Sequence, residues 1–111
     1  MKMSDFDVVI RNGSLVDGTG SESVTGDIAI LDGKIAQIGI VAGTGREEID
    51  ASNLAVAPGF IDIHTHFDPQ LCWDSYATPS IEHGITTVVT GNCSLSLAPI
   101  RDRAAAAKIA S

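Results

Sequence analysis

The run Asp62-Ile63-His64-Thr65-His66 places two imidazoles two residues apart beside a carboxylate. In a β-strand, residues two apart point the same way. The spacing therefore predicts Asp62, His64 and His66 on one face of a strand, with Ile61, Ile63 and Thr65 on the other. Their Cα atoms would sit roughly 7 Å apart, near enough for tilted rings to converge on one metal ion or on two neighbouring ones. Imidazole suits zinc and similar divalent metals. On a helix the same pair would diverge. Taken alone, His-x-His also fits two histidines on a solvated face or in a polar turn.

A second feature is Gly91-Asn92-Cys93, at the end of a β-branched run. Counting by twos, Ile85, Thr87, Val89, Gly91 and Cys93 share a face. A thiolate is a zinc ligand, and its full negative charge lets it bridge two cations. If the two strands are parallel neighbours, Cys93 and the His pair lie at the same C-terminal edge, where α/β sheets and barrels place their sites. A lone Cys is otherwise a small buried hydrophobe. Other candidates carry less. Asp68 and Asp62 could accept an imidazole N–H from behind, or serve as a loop residue and an interior polar group. Trp73 could wall a pocket or pack in a core. His83 suits a helix C-terminus. Gly18-Thr19-Gly20 and Gly43-Thr44-Gly45 lack a phosphate-loop context and read as turns.

These residues need elements to hold them. The first half of the chain reads as strand and turn. Asp7–Arg11 is a short β-branched strand, and Asn12-Gly13 and Asp17-Gly18 are turn dipeptides. Asp27–Leu31, Asp32-Gly33 and Lys34–Ile38 form a hairpin signal, because Asp-Gly supplies the positive φ of a tight two-residue turn. Gly39–Glu48 is Gly-rich and polar, a loop. A small antiparallel sheet is expected up to about Ser52. Beyond it, Asp74–His83 predicts a short helix capped by Asp74 or Ser75 and ended by Gly84. Ile85–Thr90 predicts a strand buried on both faces. Pro99 opens a helix that takes in the Ala104–Ala107 run. Strand, helix, strand, helix with buried strands is α/β, the start of a parallel sheet. Two parallel strands leave open edges, so the expectation is the N-terminal part of a larger fold; the alternative is a complete small α+β domain.

The 111 residues carry 7 Lys+Arg against 14 Asp+Glu, a net charge of -7, with 44% hydrophobic residues. That is globular composition. An acidic chain without a Lys/Arg cluster argues against nucleic acid and anionic membrane surfaces as partners. No apolar run approaches the roughly 18 residues of a membrane span. The N-terminus carries acidic residues where a signal peptide has its apolar core. Two cysteines suggest free thiols in a reducing, cytoplasmic compartment over a Cys72–Cys93 disulfide.

Ala57-Pro58-Gly59-Phe60-Ile61-Asp62-Ile63-His64-Thr65-His66 resembles the first barrel strand of the amidohydrolase superfamily. Asp7–Gly13 through Asp17–Gly20 resembles the small β-sandwich that precedes that barrel. Asp68–Asp74 and His83–Cys93 are similar to the D-aminoacylases, the N-acyl-D-amino-acid deacylases. The resemblance implies a β-sandwich part over residues 1–55 and the first two βα units of a metal-dependent (β/α)8 barrel over residues 56–111. Such a barrel takes about 250 residues, so the remainder of the barrel is required for activity, including further His ligands and the general-base Asp. It implies His64, His66 and Cys93 as ligands of one or two divalent metals, Zn2+, and a small-molecule N-acyl-D-amino acid as substrate, its amide bond hydrolysed. Cys93 stands where the cyclic-amide relatives, the hydantoinase and dihydroorotase group, use a modified lysine. Those relatives share His-x-His and are the alternative, as is a non-enzymatic metal-binding piece. Ser94 departs from the family, where many members carry Gly; a side chain there could narrow the pocket or alter the acyl preference.

Overall fold

The computed structural model describes residues 4–93. The chain divides into two compact units between Pro58 and Gly59. Among the described residues both are built mainly from β-structure, with little helix.

The first unit is one five-stranded sheet. Its strands are β1 (Phe6–Leu15), β2 (Val24–Leu31), β3 (Lys34–Gly39), β4 (Gly45–Asp50) and the short β5 (Ala55–Val56). The order is β3-β2-β1-β4, with β5 also on β1. The expected hairpin joins β2 and β3: Asp32 and Gly33 take φ of 51° and 71°, and Leu31 pairs with Lys34. Both central residues in left-handed conformation match the right-handed twist of the flanking strands.

Three expectations for this unit are corrected. The sheet is mixed, because β4 and β5 run parallel to β1 while β2 and β3 are antiparallel. Gly45–Asp50 lies inside and beyond the expected loop, yet it is a strand; its side chains are polar because it is an edge whose partner, β1, is distant in sequence. Asn12-Gly13 is no turn. Strand β1 continues through it, and the register slips between Ile10 and Gly13, with Asn12 at φ 58°. An extra residue in one strand leaves a backbone donor without a ladder partner. Here the Asp27 carboxylate accepts the Asn12 N–H at 2.9 Å, the Val41 N–H at 3.3 Å and the Arg11 Nη1 at 3.2 Å. Val9, Ala29 and Val41 form the buried core on one face, with Phe6 against it. On the other, Ile35 and Ile38 stay largely exposed beside Leu15, Ile28 and Val56.

The Asn12 N–H, more than the Val41 N–H or Arg11, holds the Asp27 carboxyl below its ordinary range against the opposing effect of desolvation. A depressed folded-state value means the unfolded chain takes up the proton first. This stabilisation is therefore complete above the unfolded value near 3.9 and is lost as pH falls through the folded value. Asp27→Ala is expected to cost about 1–3 kcal/mol by leaving the part-buried Val41 N–H without its acceptor, while the exposed Asn12 N–H turns to water. In thermal melts it should lower the midpoint at pH 7 by several degrees and shrink the fall between pH 7 and pH 3. An unchanged acid limb would show that Asp27 plays no such part.

The second unit pairs β6 (Phe60–Asp62) with β7 (Ile85–Val88) in parallel. Between them lie α1 (Phe67–Gln70) and a single 3-10 turn at Ser80–His83. The expected helix over Asp74–His83 does not form. The Asp74 carboxylate instead accepts the Tyr76 N–H, the Thr78 N–H, the Thr78 hydroxyl and the Gln70 amide, at 2.6–3.1 Å. A short acidic side chain that captures nearby backbone donors competes with helix. Pro79 also disfavours helical backbone at Thr78. Gly84 does end the 3-10 turn, at φ 83°. Strand β7 is not buried on both faces: Thr86 and Thr87 are exposed, and no further strand flanks the pair among the described residues. Ser94 and the helix expected from Pro99, with its Ala run, lie outside the described residues.

Candidate metal centre

Strand β6 stops at Asp62, so His64 and His66 do not stand in a strand as expected. The reason is local. Asp62 Oδ1 accepts the His64 N–H at 3.1 Å, a side-chain turn that takes this donor out of the ladder. Backbone pairing persists for one more step, from the Val89 N–H to the Asp62 carbonyl at 2.8 Å. Cys93 likewise lies past the end of β7, after Gly91 at φ 85°. Both loops leave the C-terminal edge of parallel strands, which is the end anticipated for a site.

The three side chains nevertheless come together. One ligand atom each from His64, His66 and Cys93 lies within 4.8 Å of the others. Donors bound to one tetrahedral zinc at about 2.0–2.3 Å lie roughly 3.3–3.8 Å apart, so the three atoms are gathered near the scale of one cation, and binding would draw the widest pair in by up to about 1 Å. His66 Nε2 and Cys93 Sγ approach to 2.8 Å. Two imidazole nitrogens and a sulfur are a donor set that suits zinc. His64 and His66 are exposed and Cys93 half-buried, so a ligand can reach them. Among the described residues no other group of three His, Cys, Asp or Glu side chains converges in this way. Both cysteines are free thiols.

The remaining candidates fall elsewhere. Asp68 Oδ2 accepts the Gly91 N–H at 3.3 Å rather than an imidazole proton. Trp73 is 77% exposed and is not core. His83 is exposed, in the 3-10 turn. Gly18-Thr19-Gly20 is a turn in which Asp17 accepts the Thr19 N–H and hydroxyl, while Gly43-Thr44-Gly45 leads into β4. Two residues without a role of their own in the sequence, Thr65 and Asn92, bond between the loops that carry the candidate ligands. Thr65 Oγ1 donates to the Val89 carbonyl at 3.2 Å, and Asn92 Nδ2 to the Ile63 carbonyl at 2.6 Å. Their only sequence signal is adjacency to candidate ligands.

The profile of the amidohydrolase family matches residues 47–107, more than half of the chain. The chain belongs to the amidohydrolase family. This amidohydrolase chain is 47% identical over 98 residues to an N-acyl-D-aspartate deacylase of Alcaligenes xylosoxydans xylosoxydans, a match over 87% of this chain and 20% of that protein. A solved D-aminoacylase with a binuclear metal centre superimposes at a TM-score of 0.79 and 41% identity, over 87% of this chain and 21% of its own. An N-acyl-D-glutamate deacylase from Bordetella bronchiseptica, solved with zinc and a phosphonate mimic of the tetrahedral intermediate, gives 0.73 and 42%, over 85% and 20%. The amidohydrolase chain thus spans about a fifth of the length of these relatives. No helix among its described residues is long and apolar enough to cross a membrane.

Proposed function

We propose that His64, His66 and Cys93 hold zinc, as one or two ions, in an enzyme that hydrolyses the amide bond of N-acyl-D-amino acids. The observation that carries this reading is the convergence of two imidazoles and a sulfur within 4.8 Å. The similarity to deacylases of N-acyl-D-aspartate and N-acyl-D-glutamate supports the substrate class. Residues 1–55 then belong to a β-sandwich domain and residues 56–111 open a (β/α)8 barrel, whose C-terminal edge carries the ligands.

When bound, such a cation lowers the pKa of a coordinated water to about 7 and polarises a carbonyl oxygen. The chain's own part is to hold it. His64 and His66 present neutral nitrogens, and Cys93 adds a negative charge that strengthens retention at some cost in Lewis acidity. The general base that takes the water proton and returns it to the leaving amine comes from a later barrel strand, so the activity requires the remaining strands.

Cyclic-amide hydrolysis is the competing chemistry. The discriminating experiment assays the protein with its full barrel, zinc-loaded, against N-acetyl-D-amino acids, N-acetyl-L-amino acids and hydantoins. Release of free D-amino acid, abolished by chelation and restored by zinc, is expected. Hydantoin opening without deacylation would overturn the assignment.

A further inference from the structure

The proposed metal centre has a structural problem that its ligands do not solve, and the inference here rests on that centre. His64, His66 and Cys93 all lie beyond the strand ladder, which ends at Asp62 and Val88. Backbone pairing reaches one step further, from the Val89 N–H to the Asp62 carbonyl, and beyond that step no ladder bond fixes the distance between the loop after β6 and the loop after β7. Apart from the contact between His66 and Cys93 themselves, three side-chain bonds link the loops: Thr65 to the Val89 carbonyl, Asp68 to the Gly91 N–H, and Asn92 to the Ile63 carbonyl. The last is the shortest, at 2.6 Å against 3.2 and 3.3 Å. It also joins the immediate neighbours of two ligands, since Asn92 precedes Cys93 and Ile63 precedes His64.

We propose that Asn92 is the positioning residue of the centre, a clamp that holds the Cys93 sulfur against the paired imidazoles. The chemistry selects the residue type. A carbonyl oxygen can only accept, so the side chain facing it must donate. A carboxamide donates through Nδ2, whereas a carboxylate of the same shape would set oxygen against oxygen. Gly91, at φ 85°, turns the chain so that Asn92 reaches across. Metal-binding side chains depend on such outer partners, and their loss typically costs about 10–100-fold in affinity.

The test uses Co2+, whose bond to a thiolate gives a near-ultraviolet charge-transfer band separate from its visible bands. Cobalt titrations against a competing chelator are run on the unaltered protein, Cys93→Ser, Asn92→Ala, Asn92→Asp and Asn92→Gln, with far-ultraviolet circular dichroism as the folding control. The unaltered protein is expected to show the sulfur band and Cys93→Ser to lack it. Asn92→Asp and Asn92→Ala should weaken cobalt binding by about 10–100-fold and lose sulfur-band intensity relative to the visible bands, as the ion stays on the imidazoles. Asn92→Gln, which keeps the amide, should fall between. That ordering, in chains with unaltered circular dichroism, distinguishes positioning from loss of fold. If Asn92→Asp and Asn92→Ala keep both affinity and sulfur band within twofold of the unaltered protein, the clamp is refuted while the centre stands. If the unaltered protein shows no sulfur band, the centre and the clamp fall together.

Discussion

Cys93→Ser is expected to strip the proposed centre of its metal. Structural zinc sites in general are four-coordinate and release about 10–16 kcal/mol on binding, so a single donor carries roughly 3 kcal/mol, or about a hundredfold in dissociation constant. Serine keeps the shape and removes the sulfur, so of the three candidate donors only the imidazoles of His64 and His66 remain. The expected outcome is a zinc-to-protein ratio near zero after dialysis against a mild chelator, where the unaltered protein retains its zinc. His64→Ala and His66→Ala should follow, although each leaves the thiolate in place. Strand pairing should survive, because none of the three residues belongs to a strand. A Cys93→Ser protein that holds zinc as firmly as the original would remove the thiolate from the site.

Gly59→Ala should damage the same site from a distance. Gly59 precedes β6 and lies against Thr86 of β7. A Cβ there would stand 2.7 Å from the Thr86 Cβ, and closer still to its methyl and hydroxyl. That Cβ is tied to the β7 backbone, so it cannot swing aside as the end of a long side chain would. The strands must separate or slip. Overpacking of this kind costs about 1–3 kcal/mol. It strikes where the Phe60 N–H bonds the Gly84 carbonyl at 2.9 Å, next to the register shift between Phe60 and Ile61. Moving β6 against β7 also moves the loops that carry the proposed ligands, so cobalt affinity should fall together with the melting midpoint. Thr86→Gly placed in the Gly59→Ala background should recover much of both, and a double-mutant cycle measures the coupling. Simple additivity in that cycle would mean that the contact does not matter.

Neighbouring residues explain most of what was legible beforehand. The β2–β3 hairpin could be read because Asp32-Gly33 states its turn geometry within four residues. The parallel pairing of the strands around Ile61 and Thr87 is what alternation of strand and helix predicts, although the helix expected between them over Asp74–His83 does not form. Gly84 as a terminator was equally local. The misread elements all depend on distant or competing partners. Strand β4 has the polar sequence of a loop and is a strand only because β1 lies beside it. Asn12-Gly13 has the chemistry of a turn but sits inside β1, where the Asp27 carboxylate satisfies the extra donor. Asp74 looked like a helix cap and instead gathers four donors into a turn.

The amino-acid sequence by itself determined the donor types, two imidazoles and a sulfur, and the strand pair that brings their loops to one edge. Those are matters of side-chain chemistry and of local patterning. It did not determine how the three meet, since the expected alternation along a strand ends at Asp62, before either histidine. Only the tertiary structure decided that, through the Asp62 turn and the bonds of Thr65, Asp68 and Asn92 across to the other loop. The physical reason is that a side chain's capacity to bind is intrinsic to the residue, whereas the distance between residues 27 positions apart, as in His66 and Cys93, is set by contacts that no local pattern encodes.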